Sequence, residues 1–118
     1  MTPTNFALCL TSFLRTYLPG QRKASKHTIA SYSDTFKLIL LYSEQERHLS
    51  VERLTLEKFN QEFVNGFLKW LEVSRFNGPS TRNQRLSAIH SFIDYIKRMW
   101  PEYLLENQTI LNIRSVTI

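Results

Sequence analysis

The stretch between Pro79 and Pro101 constrains the fold of this chain more than any other part of its sequence. Its apolar residues recur at intervals of three and four, which is the spacing of one face of an α-helix. They are Leu86, Ile89, Ile93, Ile96 and Trp100. Because proline cannot continue a helix, Pro101 ends the pattern. The sequence therefore predicts a long helix four that follows the turn Asn77-Gly78-Pro79 and is capped by Ser80.

Three earlier segments have the same apolar spacing. The first predicts a helix from about residue 4 to 18, ended by Pro19-Gly20. The second predicts a helix from about residue 25 to 47 with Ser25 as its N-cap, and the third a helix from about 56 to 75 with Thr55 as its N-cap. Glu102 to Asn107 predicts a short fifth helix. The expected fold is all-α, a compact bundle of four to five helices.

Length and composition limit the chain to one hydrophobic core. We expect residues 1–107 of the 118 to form a single helical domain and residues 108–118 to begin a linker, since apolar residues continue to the last position. The single cysteine, Cys9, cannot form an internal disulfide, and no apolar run reaches the length of a membrane span. The sequence therefore predicts a cytoplasmic location without membrane contact.

The positive charge is concentrated in two segments. Arg15 to Lys37 contains five basic residues and one acid, and Arg75 to Arg98 has the same count, so that each segment carries +4. Glu44 to Glu72 carries −2. If the basic segments lie side by side in the fold, they form one positive face for a polyanion.

The sequence contains no pattern specific to a catalytic or metal centre. His27, His48 and His90 are not spaced as metal ligands with one another or with Cys9, and the three glycines do not form a phosphate-binding loop. We expect no enzyme activity, no metal and no cofactor in this chain.

Small polar residues alternate with basic ones on the polar sides of helices two and four. Helix two offers Lys26, Thr28 and Ser31, and helix four opens with Ser80, Thr81, Arg82, Asn83, Gln84 and Arg85. Free N–H groups and hydroxyls at a helix start can hold a phosphate. Arginine suits guanine edges and asparagine suits adenine, and recognition helices meet bases with their first turns. The pattern predicts duplex DNA binding.

The run from Pro79 to Phe92, followed by Tyr95, resembles the last long helix of the core-binding domain of tyrosine recombinases, the phage-integrase family. Phe13 to Leu18, Thr28 with Tyr32 and Phe36, Leu54 to Glu57, and Phe67 to Glu72 are similar to its earlier helices in order. The resemblance covers nearly the whole chain.

This resemblance implies a SAM-like bundle that holds one face of the DNA while a separate C-terminal catalytic domain of the parent protein holds the other. Helices two and four of the family approach the major groove. The matching positions here are Lys26, Thr28, Ser31, Thr81, Arg82, Asn83 and Arg85. The family cleaves DNA with residues of the catalytic domain, and this chain lacks the HxxR motif, so its tyrosines are not expected to be nucleophiles. Further implied partners are recombinase protomers assembled on DNA.

The chain departs from the family pattern where relatives often carry an Ile-Pro-x-Lys linker, since it has Ile113-Arg114-Ser115-Val116. Two other functions stay open. One is a SAM-like or death-like module that binds protein, whose mark is an exposed apolar or oppositely charged patch; the sequence shows no clear apolar one. The other is a helix-turn-helix transcription regulator, which has shorter helices and a tighter turn than are predicted here.

Overall fold

The computed structural model of the chain describes residues 2–103 and 107–117. Over these residues the protein is all-helical and has no β-strand. The α-helices are α1 (Asn5–Ser12), α2 (Lys26–Arg47), α3 (Gln61–Ser74) and α4 (Pro79–Met99). A π-helical segment, Phe13–Gln21, continues α1, and 3-10 segments at Pro101–Tyr103 and Gln108–Asn112 follow α4. The predicted all-α fold is confirmed.

The chain divides into two compact units, Met1–Thr55 and Leu56–Ile118. In the first unit, aromatic side chains of the π-helical segment and α2 pack together. The ring of Phe13 stacks on Tyr17 and Tyr32, with centroid distances of 6.1 and 6.2 Å, and meets Phe36 edge-on at 6.4 Å. Such pairs add about 0.5–1.5 kcal/mol to the burial of the rings themselves. These contacts bring the π-helical segment against α2.

The π-helical segment contains the proline that was expected to end helix one. Pro19 has no N–H, and its ring clashes with the carbonyl four residues earlier in an α-helix. The wider winding of a π-helix relieves this clash. The Arg22 N–H donates to Tyr17 O, five residues back, at 3.0 Å. The prediction that Pro19-Gly20 stops the helix is therefore wrong, because the winding changes and the chain stays helical to Gln21.

Helix α2 begins and ends close to where the sequence places it. The Thr28 N–H donates to the Ser25 hydroxyl oxygen at 3.0 Å, so that Ser25 is the N-cap as predicted. At the other end, His48 takes a left-handed conformation with φ 56°, and the Ser43 hydroxyl donates to Leu49 O at 2.8 Å. These local bonds explain why α2 could be delimited from sequence.

The second unit has its own aromatic core. Phe59 packs on Phe63 of α3 with a centroid distance of 5.5 Å and meets Phe92 of α4 edge-on at 6.1 Å. The last turn of α4 is covered by Trp100, whose ring meets Tyr95 at 5.4 Å. Burying one such ring contributes about 1.5–3 kcal/mol to stability. Helices α3 and α4 are thereby held against the turn that precedes α3.

Helix α3 starts five residues later than predicted. Its N-cap is Asn60, whose Oδ1 accepts from the Phe63 N–H at 2.9 Å, and not Thr55. Residues 56–58 form a turn, closed by the Phe59 N–H donating to Leu56 O at 3.1 Å. Leu56 and Phe59 are both fully buried. Phe59 belongs to the apolar spacing that predicts this helix, although a turn buries its side chain equally well.

Helix α4 begins at Pro79, with Gly78 as its N-cap. The prediction that Ser80 caps this helix is wrong, because proline is favoured at the first helical position, where its missing N–H costs nothing. Ser80 therefore lies inside the first turn. The helix ends at Met99, directly before Trp100 and Pro101, as the apolar pattern predicts.

The segment after α4 returns to the second unit. The side-chain Nδ2 of Asn107, which is fully buried, donates to Leu56 O and to Phe59 O at 2.6 Å each. His90 of α4 lies 3.0 Å from Ile110 O and must donate from Nε2, because a carbonyl only accepts. Of the predicted fifth helix, Glu102–Asn107, residues 104–106 lie outside the described residues. Residues 108–117, expected to begin a linker, contact α4.

Candidate nucleic-acid interface

The start of α2 presents the predicted polar and basic side chains at the surface of the first unit. Lys26 is exposed, and Thr28 and Ser31 are half-buried. The Ser25 hydroxyl donates to Thr28 Oγ1 at 3.0 Å, which fixes the Thr28 hydroxyl at the helix start. The Ser31 carbonyl accepts from the Thr35 hydroxyl at 3.2 Å. The first turn of α2 thus carries one exposed cation, Lys26, and the Thr28 hydroxyl, both of which can interact with an anion.

The connector before α2 adds two cations that were not among the predicted site residues. Arg22 and Lys23 are both exposed, and Lys23 has a left-handed backbone with φ 50°. They precede the N-terminal end of a helix, where the helix dipole favours an anion. With these two exposed cations, the start of α2 is more basic than it would be with Lys26 alone.

The start of α4 is built without a capping side chain. Gly78 has none to offer, and Pro79 has no N–H, so that Ser80 and Thr81 carry the first N–H groups of the helix. The first bond within the helix runs from the Arg82 N–H to Gly78 O at 3.0 Å. Ser80 is exposed and Thr81 half-buried. Two N–H groups and two hydroxyls at a helix end have the chemistry to bind an anion.

Arg82 is held by neighbours within the second unit. Its Nη1 donates to Arg114 O at 3.1 Å and lies 3.4 Å from Asn83 Oδ1, and its Nε is 3.6 Å from Glu72 Oε1. The Arg82 side chain is only 12% exposed, whereas that of Glu72 is 44% exposed. An ion pair with one exposed partner contributes about 0–1 kcal/mol, so that the geometry of Arg82 depends mainly on its hydrogen bonds.

Asn83 is bound at both ends of its side-chain amide. Its Nδ2 donates to Val116 O at 2.8 Å, and its Oδ1 accepts from the Val116 N–H at 2.9 Å. This contact could not be predicted from sequence patterns, because it joins residues that lie 33 positions apart. Two predicted base-contacting side chains, Arg82 and Asn83, therefore contact residues 114–116 in this conformation.

The segment around the start of α4 is strongly basic. From Arg75 to Arg85 it contains three arginines and no acid. Arg75 is exposed and lies over the ring of Trp70, with its guanidinium carbon 5.5 Å from the ring centroid. Arg85 is half-buried. The segment can attract phosphate even while Arg82 is occupied.

An exposed apolar pair lies directly before α4. Phe76 is 88% exposed and has φ 56°, and Val73 in the last turn of α3 is 60% exposed. The Asn77 N–H donates to Leu71 O at 3.0 Å, and Asn77 Nδ2 donates to Arg75 O at 3.1 Å, which fixes the backbone on both sides of Phe76. Sequence analysis missed this pair, since periodicity does not reveal which apolar residues a loop leaves exposed.

Within residues 2–103 and 107–117, no three His, Cys, Asp or Glu side chains are grouped so that they could hold a metal ion. Cys9 is buried in the first unit. None of the helices in these ranges is both long and apolar enough to cross a bilayer.

Comparison with known proteins identifies relatives of the chain. A family model described as "Phage integrase, N-terminal SAM-like domain" matches residues 10–99. The chain is 38% identical over 111 residues to "Putative integrase/recombinase y4rC" of Sinorhizobium fredii, a match that covers 94% of this chain and 33% of that protein. It is 34% identical over 104 residues to "Putative integrase/recombinase y4rD" of the same organism, covering 88% of this chain and 37% of that protein. The chain thus spans about a third of the length of these relatives. No solved structure matches the chain significantly.

Proposed function

This chain belongs to the phage integrase family, as an N-terminal SAM-like domain, and from this membership we propose that it binds double-stranded DNA. In the proposed function it binds a specific site and positions the DNA for strand exchange. Cleavage and rejoining belong to a separate catalytic domain of the parent protein, which we propose to be a tyrosine recombinase. That domain, and further protomers on the same DNA, are the proposed partners.

The observation that carries this proposal is the start of α4. An uncapped helix end, two hydroxyls and a segment with three arginines and no acid occur together there. Backbone N–H groups at a helix start bind phosphate oxygens, and positive side chains supply most of the affinity of proteins for DNA. A helix that is anchored by phosphate contacts at its first turn can then direct side chains at base edges.

Each predicted residue has a role that follows from its chemistry. Lys26, Thr28 and Ser31 on α2 contact phosphates, and Ser80 and Thr81 on α4 do the same. Arg85 contacts base edges, for which its planar guanidinium is suited. Arg82 and Asn83 have the chemistry to contact base edges as well, once they are released from residues 114–116.

The proposal is tested by titrating a fluorescein-labelled duplex with the chain and following the anisotropy. Lys26→Ala and Arg85→Ala are expected to weaken binding, by about 1–3 kcal/mol where the lost residue contacts a base. Lys69→Ala is the matched control, because Lys69 is an exposed cation on α3 outside both basic segments. Equal affinity of all three variants and the wild type removes both helix starts from the interface.

The exposed pair Val73 and Phe76 favours a second candidate function, contact with another protein. A stable protein interface buries about 20–30 residues on each side, and two residues are far below this size. The pair therefore ranks second to the DNA interface. Sedimentation velocity of the wild type and of Phe76→Ala tests it in its simplest form, self-association, which the variant is expected to weaken.

A further inference from the structure

The segment Ile113–Thr117, here named the return segment, has no regular secondary structure and lies on the first turns of α4. Three hydrogen bonds hold it there. They are Arg82 Nη1 to Arg114 O at 3.1 Å, Asn83 Nδ2 to Val116 O at 2.8 Å, and the Val116 N–H to Asn83 Oδ1 at 2.9 Å. All three use backbone atoms of the return segment. The Val116 side chain is itself 38% exposed, so that the contact depends on the main chain more than on side-chain packing.

The backbone of Val116 presents the same pair of groups as the edge of an adenine. In the major groove adenine offers one acceptor, N7, and one donor, the N6 amino group, and an asparagine side chain binds both. Val116 offers one acceptor, its carbonyl, and one donor, its N–H, and Asn83 binds both. The carbonyl of Arg114 likewise presents to Arg82 an acceptor of the kind that a guanine presents to arginine.

We propose that the return segment is an intramolecular competitor of DNA, which occupies Arg82 and Asn83 until a duplex displaces it. This inference rests on the proposed DNA binding and adds a step to it. The chain binds phosphate first through residues that the return segment does not engage, among them Ser80, Lys26 and Arg22. Release of the return segment then frees the Asn83 amide and Nη1 of Arg82 for base contact, while Nε of Arg82 stays beside Glu72. Base recognition therefore requires the free energy of this release.

The free energy needed to release the return segment is small enough for DNA binding to supply it. The bonds lie at the surface, and an intramolecular hydrogen bond of this kind adds only a modest net stability, because water replaces it when it opens. Surface segments held by a few such bonds open locally without unfolding the remainder of a protein. The return segment, when bound to Arg82 and Asn83, therefore lowers the affinity for DNA but does not prevent binding.

Substitutions in the return segment test the proposal without altering Arg82 or Asn83. Val116→Pro removes the N–H that Asn83 accepts from, since proline has none. Val116→Ala is the matched control, because it keeps that N–H and removes only the side-chain methyl groups. Both are made in the 118-residue chain. The probe is a duplex selected for wild-type binding from a random-sequence pool.

The expected result is that Val116→Pro binds the selected duplex about two- to tenfold more tightly than Val116→Ala, the gain from losing one intramolecular hydrogen bond. Equal or weaker binding by Val116→Pro overturns the competition while leaving the proposed DNA binding intact. If none of the chains binds any duplex, the proposed function fails and the competition fails with it.

Hydrogen exchange gives a second and independent measurement. The Val116 amide is expected to be protected in the free wild-type chain and to lose this protection when the selected duplex is added. A Val116 amide that stays protected in the complex shows that the return segment remains on α4, and this overturns the proposal. Protection that is lost on binding supports it.

Discussion

At the residue scale, Asn107 joins the two ends of the second unit. Its buried amide donates to the carbonyls of Leu56 and Phe59, which precede α3, while Asn107 itself follows α4. A buried carbonyl that loses its donor incurs a desolvation cost of about 1–3 kcal/mol. Two carbonyls depend on this one side chain, so that its identity matters more than that of most polar residues in the chain.

We expect Asn107→Asp to lower the free energy of unfolding by about 3 kcal/mol or more, since a carboxylate cannot donate and its charge would be buried beside two carbonyl oxygens. Urea unfolding followed by circular dichroism measures this. Asn112→Asp makes the same chemical change at an exposed position and is expected to stay within about 0.5 kcal/mol of the wild type. Equal stability of the two variants contradicts the role given to Asn107.

Phe76 illustrates the opposite case, a residue whose conformation costs stability. A side chain with a β-carbon is disfavoured by about 1–2 kcal/mol at left-handed backbone angles, and glycine is the usual residue at such a position after a helix. Phe76→Gly is therefore expected to raise the free energy of unfolding by up to about 1 kcal/mol. Phe76→Ala, which removes the ring and keeps the β-carbon, is expected to show no such gain. If thermal denaturation shows that Phe76→Gly is less stable than Phe76→Ala, this account is contradicted.

At the scale of elements, the helices that were delimited correctly are those whose signals are local. Ser25 caps α2 within one turn, and Pro101 lies two residues after Met99, the last residue of α4. The start of α3 could not be found this way, because Leu56 and Phe59 fit either a helix or a turn and only packing in three dimensions decides. The π-helical segment was missed for a related reason, since Pro19 excludes α-helical winding and leaves other winding open.

The cap of α3 gives a prediction at this scale. Asn60→Ala removes the oxygen that accepts from the Phe63 N–H and is expected to cost about 1 kcal/mol of unfolding free energy. Asn60→Asp keeps a capping oxygen and is expected to retain most of the stability. If chemical denaturation gives both variants the same loss, the contribution of Asn60 does not come from capping.

The candidate site likewise combines features that have a local sequence signal with contacts that have none. Exposed groups at the starts of α2 and α4 were predictable, because helix ends and basic residues are visible in sequence. The contact of Asn83 with Val116 was not, because the sequence contains no periodic signal that connects a helix start with a segment 33 residues later.

At the scale of the whole molecule, the expectation that both basic segments meet the same duplex remains a prediction. Each phosphate contact made by a cation lowers the slope of log affinity against log salt by about 0.9. Lys26→Ala and Arg75→Ala are each expected to make the slope shallower by about 1, and the double variant by about 2. Anisotropy titrations over a series of salt concentrations measure this. If the slope measured for the double variant is no shallower than the slopes of the single variants, only one segment touches DNA at a time.

The position of Asn107 also bears on the order in which the chain acquires structure during synthesis. The residues of the first unit are all present once Thr55 has been added, whereas the carbonyls of Leu56 and Phe59 have no donor from this side chain until the ribosome has passed residue 107. Chains that emerge vectorially fold their N-terminal parts first. We therefore expect nascent chains arrested before residue 107 to hold a native-like first unit joined to a second that is still susceptible to protease.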